Sequence, residues 1–458
     1  MRSRLRLGGI SVVVLALVTF WPVAVQAAED QPGPVALVER LNPGDRLRVR
    51  ASLEAEGRYL PGEATEDTPV APIELTVSTR IESVDQVLAV DTEGQPTRLW
   101  RQAEQASVAI GGPEPIRPQT ITLRPEVSSL IVERPTEPDG RVVVASPQGP
   151  LTRAELDLVQ MPADPIDVLA LLPEDGAEVA PGARWAVPDG VARSISGYDA
   201  LASNTVEATL RSVDEESAEV DLAGSIAGAV LGGEGEMTIT GSLRFDRRAG
   251  RIALVTIERD ERRKPGPVEA GLEFRSTIRI ERSKAADEAS ETPAPKVPDR
   301  LPDDWLLLTY SAPDGRYTLQ HDRAWHVFSE DEQQVVLRRV EAGTVVVQAN
   351  LVAGPTVEPG AQPKAERFRD DVKKALGDRF DRMIDAGAVA APEGEFRYRL
   401  ALAGRQGEEP IVWYYYLVSD SKGRQVVAIF TLRASQVERF GRRDQRMIGS
   451  LRWLPEVR

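Results

Sequence analysis

The chain has 458 residues, with 71 acidic against 56 basic side chains, a formal charge of −15, two histidines and no cysteine. An acidic balance of that size argues against a nucleic-acid partner, whose phosphates demand clustered cations, and against adhesion to anionic lipid headgroups by charge alone. Without cysteine there is neither a disulfide nor a lipid-modified cysteine, so stability has to come from core burial, for which the length allows two or three domains.

The first element along the chain is an export signal. Arg2, Arg4 and Arg6 precede an apolar run over 10–20 and the small-x-small pattern Val25-Gln26-Ala27. These are the charged, apolar and cleavage regions of a secretory signal peptide over 1–27. That segment holds three arginines and no acid, so cleavage leaves 53 basic against 71 acidic groups, or −18. An uncleaved anchor is the alternative, because residues 7–28 at ~1.5 Å per residue just reach across a ~30 Å hydrocarbon layer. Pro22 and the small residues after it favour cleavage. No later segment has the apolar length of a membrane helix. The expectation is a periplasmic or secreted bacterial protein with a Sec-type signal, not an integral membrane protein once that signal is removed.

Residues 36–283 are dominated by one-sided alternation. Over 46–56, Leu47, Val49, Ala51, Leu53 and Ala55 interleave with Arg46, Arg48, Arg50, Ser52, Glu54 and Glu56. A period of two means one buried and one wet face, the mark of antiparallel sheet. The pattern recurs at 73–82, 205–211, 217–222, 236–245, 251–259 and 272–281, with turn-rich sequence between. Short helices are expected within 188–203 and within 97–108. Two strand-launching turns, Pro43-Gly44-Asp45-Arg46-Leu47 and Pro181-Gly182-Ala183-Arg184-Trp185, echo each other. They suggest two related halves, 36–165 and 166–283, with coincident turn chemistry as the plainer account.

Alternation sustained for up to ten residues exceeds the ~5–6 usual in globular strands. Long one-sided strands curl and enclose their apolar face. Strand ends at Arg46, Glu56, Glu82, Arg211, Arg259 and Glu281 put the polar face in water. Leu75, Val77, Ile239, Leu243, Leu272, Phe274, Ile278 and Ile280 then line either a tight core or a groove for a single apolar chain, such as that of a lipid. Gly224, Gly228, Gly232, Gly233 and Gly235 read as a bent strand or loop, or else as a mobile lip over a cavity.

Residues 284–302 combine proline and charge with few large apolar side chains, which reads as a linker. Over 303–458 the grammar changes. Strands are expected at 317–321, 334–340, 344–352, 396–403, 411–418 and 425–432. One helix carries Ala365, Phe368, Val372, Ala375 and Leu376, and a closing helix carries Val437, Phe440, Ile448 and Leu451 on one face. The run from Gly315 to Trp325, the hairpin, the long helix, the strands around Trp413-Tyr414-Tyr415-Tyr416 and the end through Leu451-Arg452-Trp453 resemble PsbP/DcrB-like exported domains. That resemblance implies an α/β/α sandwich over 303–458 in a mostly non-catalytic family. The N-terminal region resembles secreted bacterial β-rich proteins whose sheets are similar to the half-barrels of lipoprotein carriers. The fold expected is therefore mostly β plus α+β, an antiparallel half-barrel-like region followed by the sandwich.

Chemistry-bearing constellations are sparse. His321 and His326, five apart, lie about 140° apart on a helix and on opposite faces of a strand, so they do not share one metal. Gly-x-Ser-x-Gly, dinucleotide and P-loop spacings are not found, and neither catalytic nor cofactor residues are assigned. Adjacent carboxylates at Glu215/Glu216, Asp303/Asp304, Asp370/Asp371 and Glu408/Glu409 read as solvated surface. In the aromatic run, Trp413 and Tyr415 should face one side of a central strand and Tyr414 and Tyr416 the other, either as core or as a stacking platform. The leading expectation is a non-enzymatic envelope protein binding an apolar ligand or a protein partner. The alternatives are a purely structural or interaction module and, last, a hydrolase acting on envelope polymers.

Overall fold

A computed structural model of the chain describes residues 33–61, 71–114, 116–134, 141–286, 294–359 and 363–455. The expected signal peptide, 1–27, lies outside the described residues, as does 287–293 of the expected linker. The fold is mostly β: a large open antiparallel sheet, then a smaller sheet clad by helices.

The large sheet is built from long strands. They are β1 (Arg46–Leu60), β2 (Ile73–Val90), β3 (Pro96–Gly111), β4 (Ser129–Glu133) and β5 (Val143–Ala145), then β6 (Glu207–Val213), β7 (Ser217–Val230), β8 (Gly233–Asp246), β9 (Arg251–Arg263) and β10 (Gly271–Lys284). Their order across the sheet is β6-β7-β8-β9-β10-β1-β2-β3-β4-β5. The two ends do not meet, so the sheet curls without closing. β10 and β1 pair from Gly271 opposite Leu60 to Lys284 opposite Leu47. The two expected halves, 36–165 and 166–283, thus share one continuous sheet.

The helix expected within 97–108 is not formed; this stretch lies inside strand β3. Its arginines, glutamines and alanines suit a helix. Pairing with β2 overrides that preference, from Thr76 opposite Gly111 to Val90 opposite Pro96. The helix expected within 188–203 is present as Asp189–Ser196, closed by Gly197 at φ 75°.

One face of the sheet is sealed by a plug. Helix α1 (Arg153–Val159) begins at a capping box in which Thr152 and Glu155 satisfy each other's backbone N–H groups. With α2 (Asp189–Ser196) and the connecting segment, it contributes Leu156, Val159, Met161, Ile166, Leu169, Val191 and Ile195 to the core formed by the inward residues of the strands. Arg101, Asp85 and Asp164 form a buried ion triad here, with Arg101 2.8 Å from each carboxylate. It ties the plug segment to β2 and β3.

The second sheet runs β11 (Trp325–Glu330), β12 (Gln334–Glu341), β13 (Thr344–Ala353), β17 (Gln425–Arg433), β16 (Glu409–Ser419), β15 (Phe396–Gln406), β14 (Phe380–Ala388), numbered along the chain. Helix α3 (Ala365–Leu376) covers one face, packing Val372 and Leu376 on Trp413 and Tyr415. Tyr414 and Tyr416 point the other way, to Phe440, Met447 and Ile448. All four aromatics are at least nine-tenths buried, so they are core and not a ligand platform. The closing helix is two pieces, α4 (Val437–Phe440) and α5 (Arg443–Ser450), separated at Gly441 with φ 61°.

The two regions touch. Leu308 and Thr309 pair in parallel with Leu151 and Thr152. Arg323 donates to the Val144 carbonyl, and Arg153 to those of Arg323 and Trp325. The described end of the 284–302 segment packs too. Leu301 is buried with Trp100 and Ile131, and Arg98 donates to the carbonyls of Pro298 and Asp299 at 3.1 and 2.7 Å.

Candidate functional site

Cross-strand register divides the eight expected lining residues into two groups. Ile239, Leu243, Ile278 and Ile280 are fully buried, inside the core that the helical plug fills. Their side chains pack with those of the plug as part of the domain's core. Leu75, Val77, Leu272 and Phe274 are half-exposed, because they sit nearer the far end of the same face, where the plug stops.

Three rows of facing residues define that end. The first runs Ile239, Arg259, Ser276, Ala55, Val77, Ile110 across six strands. The second runs Met237, Glu261, Phe274, Gly57, Leu75, and the third Gly235, Arg263, Leu272, Tyr59, Ile73. On the β8–β9 side these rows are covered by Tyr198, which follows α2 and is 0% exposed. On the β10–β1–β2 side they are open: Tyr59 is 39% exposed, and Ile73, Leu75, Leu272, Phe274 and Ile110 are half-buried. The result is an apolar strip beside a polar border.

That border is made of charged residues on the inward face, Arg259 and Glu261. Arg259 was expected at a wet strand end, yet it is 8% exposed. Its side chain donates to Ser276 Oγ and to the Ile195 carbonyl, both at 2.9 Å. Glu261 is 9% exposed, and burial pushes its carboxyl above the ordinary range, with Arg263 and Arg259 opposing. The signal was in the spacing, since both share parity with Val255 and Ile257 on β9.

The polar face also curves. A cavity of about 800 Å³ lies on it, walled by Glu54, Ser78, Thr240, Glu258 and Thr277 together with Ala55, Val77, Ala109 and Ile110. Ser78 donates to Glu54 at 2.8 Å, and Arg275 pairs with Asp260 at 3.1 Å. An apolar chain there would cover hydroxyls and carboxylates without replacing their water, whereas the apolar strip carries few such groups and is the candidate for such a ligand.

The histidines lie at the junction between the regions. His321 is 5% exposed, with Nδ1 2.8 Å from the Asp322 carbonyl oxygen, which places its proton on Nδ1. Burial lowers its pKa. His326 is pushed down to about 4 by burial, then by the charges of Arg153 and His321. Among the described residues, no three histidine, aspartate or glutamate side chains gather as a metal site. The four adjacent carboxylate pairs are all exposed. Among the described residues no helix is long and apolar enough to cross a membrane.

No family model matches the chain, and no curated protein matches it. Among solved structures it is similar to lipovitellin (11% identity, 56% of this chain and 27% of that one, TM-score 0.32). It is also similar to the Ran-binding protein Mog1p of Saccharomyces cerevisiae (12% identity, 32% and 94%, TM-score 0.26). A third is the cyanobacterial PsbP of Synechocystis (16% identity, 32% and 92%, TM-score 0.26). This chain spans 27% of the length of the lipovitellin chain. PsbP is thus among the similar structures, at low TM-score and partial coverage.

Proposed function

We propose that this protein is an exported, non-enzymatic binding protein of a bacterial cell envelope, taking a single apolar chain on the uncovered end of its large sheet. One observation carries the reading: the apolar face continues past its helical plug as the half-exposed strip Ile73, Leu75, Val77, Leu272 and Phe274. The apolar surface these residues still show to water is removed from it only when something covers them. The arginines and apolar run before Ala27 support export, and the lack of a recognisable nucleophile or phosphate motif supports a role without catalysis.

A second reading, an interaction module without a ligand, draws on the full burial of Ile239, Leu243, Ile278 and Ile280. A fluorescent fatty acid separates the two. The wild-type protein should take it up saturably, and Leu75→Ser with Phe274→Ser should weaken uptake by about tenfold while leaving the fold intact, since both side chains are half-exposed. Ile278→Glu should instead unfold the domain, because a buried unpaired charge is too costly. No saturable uptake by the wild type would sink the ligand reading and leave the interaction module standing.

A further inference from the structure

We propose that the polar face of the large sheet carries, at the end opposite the apolar strip, a site for a compact anion bearing several phosphate-type charges. The starting observation is a local inversion of charge. Strands β8, β9, β10 and β1 lie side by side, and near the turn joining β8 to β9 their outward side chains surround a cavity of about 520 Å³. Its walls carry Arg48, Arg50, Arg244, Arg251, Arg279 and Lys284 against Asp246 and Glu281, in a chain whose net charge is −15. The outward direction of the five arginines follows from register, since Leu47, Val49, Phe245 and Ile280 on the same strands are buried on the opposite face, whereas Lys284 shares the parity of Ile280 and lines the cavity from the last position of β10.

The concavity has a structural cause. Arg244 faces Leu254 and Phe245 faces Ile252, which leaves Ala253 as an extra residue on β9. A bulge of this kind sharpens local twist, and four twisted strands about 14 Å across form a trough. Beneath it Glu39 and Arg282 pair at 2.7 Å, both buried, and Glu39 also accepts the Ile252 N–H at 2.8 Å. The floor is therefore anchored and internally neutral, and the cations on the wall are left to act outwards.

Half of those cations are already engaged: Arg48 with Glu104 at 2.6 Å, Arg50 with Glu82 at 3.5 Å, Arg279 with Glu281 at 2.6 Å. Arg244, Arg251 and Lys284 have no ion-pair partner among the described residues. Guanidinium groups offer forked N–H pairs that match phosphate oxygens two at a time. Several such groups on different strands suit separated anionic groups better than a single monoanion. The volume falls in the ~300–1,000 Å³ range of small-molecule sites.

Inorganic tripolyphosphate tests this by calorimetric titration of the full-length protein. Saturable binding is expected, weaker at high salt because the site is open to solvent. Replacing Arg244, Arg251 and Lys284 together by serine should weaken it by about tenfold or more with an unchanged thermal melt, since none of the three is buried. Pelleting with phosphatidate-containing vesicles, but not with phosphatidylcholine alone, that tripolyphosphate competes away would identify a lipid headgroup as the source. Tripolyphosphate binding without pelleting would identify a soluble anion. Absence of both, or binding that the triple variant retains, would overturn the proposal.

Discussion

His326 shows how a side chain with an ordinary solution pKa becomes a reporter once folding removes its water. Its pKa falls from 6.5 to about 4, through burial first and then through Arg153 and His321. The sign follows from linkage: the unfolded chain binds a proton that the folded chain refuses, so the stability His326 contributes is complete above pH 6.5 and is lost as pH falls towards 4. Asp167 acts in the opposite sense. Burial raises its pKa to about 6, so its penalty fades as it protonates over the same range, and a global acid melt would blend the two. The imidazole resonances do not blend, because the chain has only two histidines. An NMR titration should show one ring still neutral at pH 5 with a midpoint near 4. A midpoint near 6.5 for both rings would mean that the junction is hydrated.

At the scale of elements, periodicity exposed the strands and hid what lies against them. Alternation found the inward sets of β1 and β10, from Leu47 to Leu53 and at Ile278 and Ile280, because a period of two maps directly onto faces. It failed where residue type and parity disagree: Arg259, Glu261, Arg101 and Asp85 are charged yet inward, with Arg101 bridging Asp85 and Asp164 and Arg259 donating to Ser276 and to the Ile195 carbonyl. It also missed the plug, although Thr152 and Glu155 three residues on, ahead of Leu156 and Val159, are the capping signature that would have found α1. With the plug unseen, the apolar face looked like one continuous lining, and its division into packed core and open strip was not legible. Gly235 marks where plug and sheet meet. A Cβ there would lie 2.5 Å from Tyr198 Oη and 2.9 Å from its Cζ, so the glycine lets the ring of a fully buried tyrosine rest on the strand. Gly235→Ala should cost about 1–3 kcal/mol in urea unfolding. Adding Tyr198→Phe, which deletes the nearest atom, should recover part of that loss as a favourable coupling. Strictly additive effects would show that the strand shifts and the ring does not.

Among the described residues each region has its own packed apolar side chains, and one residue at the start of the second region packs into the core of the first. The cores of the second region draw their members from 310 onwards, through Tyr310 to Leu451 and around α3. By that measure the region has what it needs to fold. Leu308, two residues earlier, belongs instead to the core of the large sheet, is 0% exposed and pairs with Leu151. Trp305 and Leu306 pack beside it on Trp100 and Ile131. A short stretch of chain is thus shared, and the hydrogen bonds of Arg153 and Arg323 to backbone carbonyls across the junction depend on its position. Leu308→Ala removes from the core of the large sheet a side chain supplied by the start of the second region, and leaves the cores of the second region whole. The local cost should be about 2–5 kcal/mol, the range for emptying a packed leucine site. The larger consequence concerns cooperativity, since contacts that pass between two regions are what make them unfold together. Calorimetry of the wild type should give one transition, and of Leu308→Ala two, with the second region melting close to where the isolated fragment 303–458 melts. A single transition that moves down without splitting would mean that the arginine bonds and the packed end of the 284–302 segment couple the regions without help from Leu308.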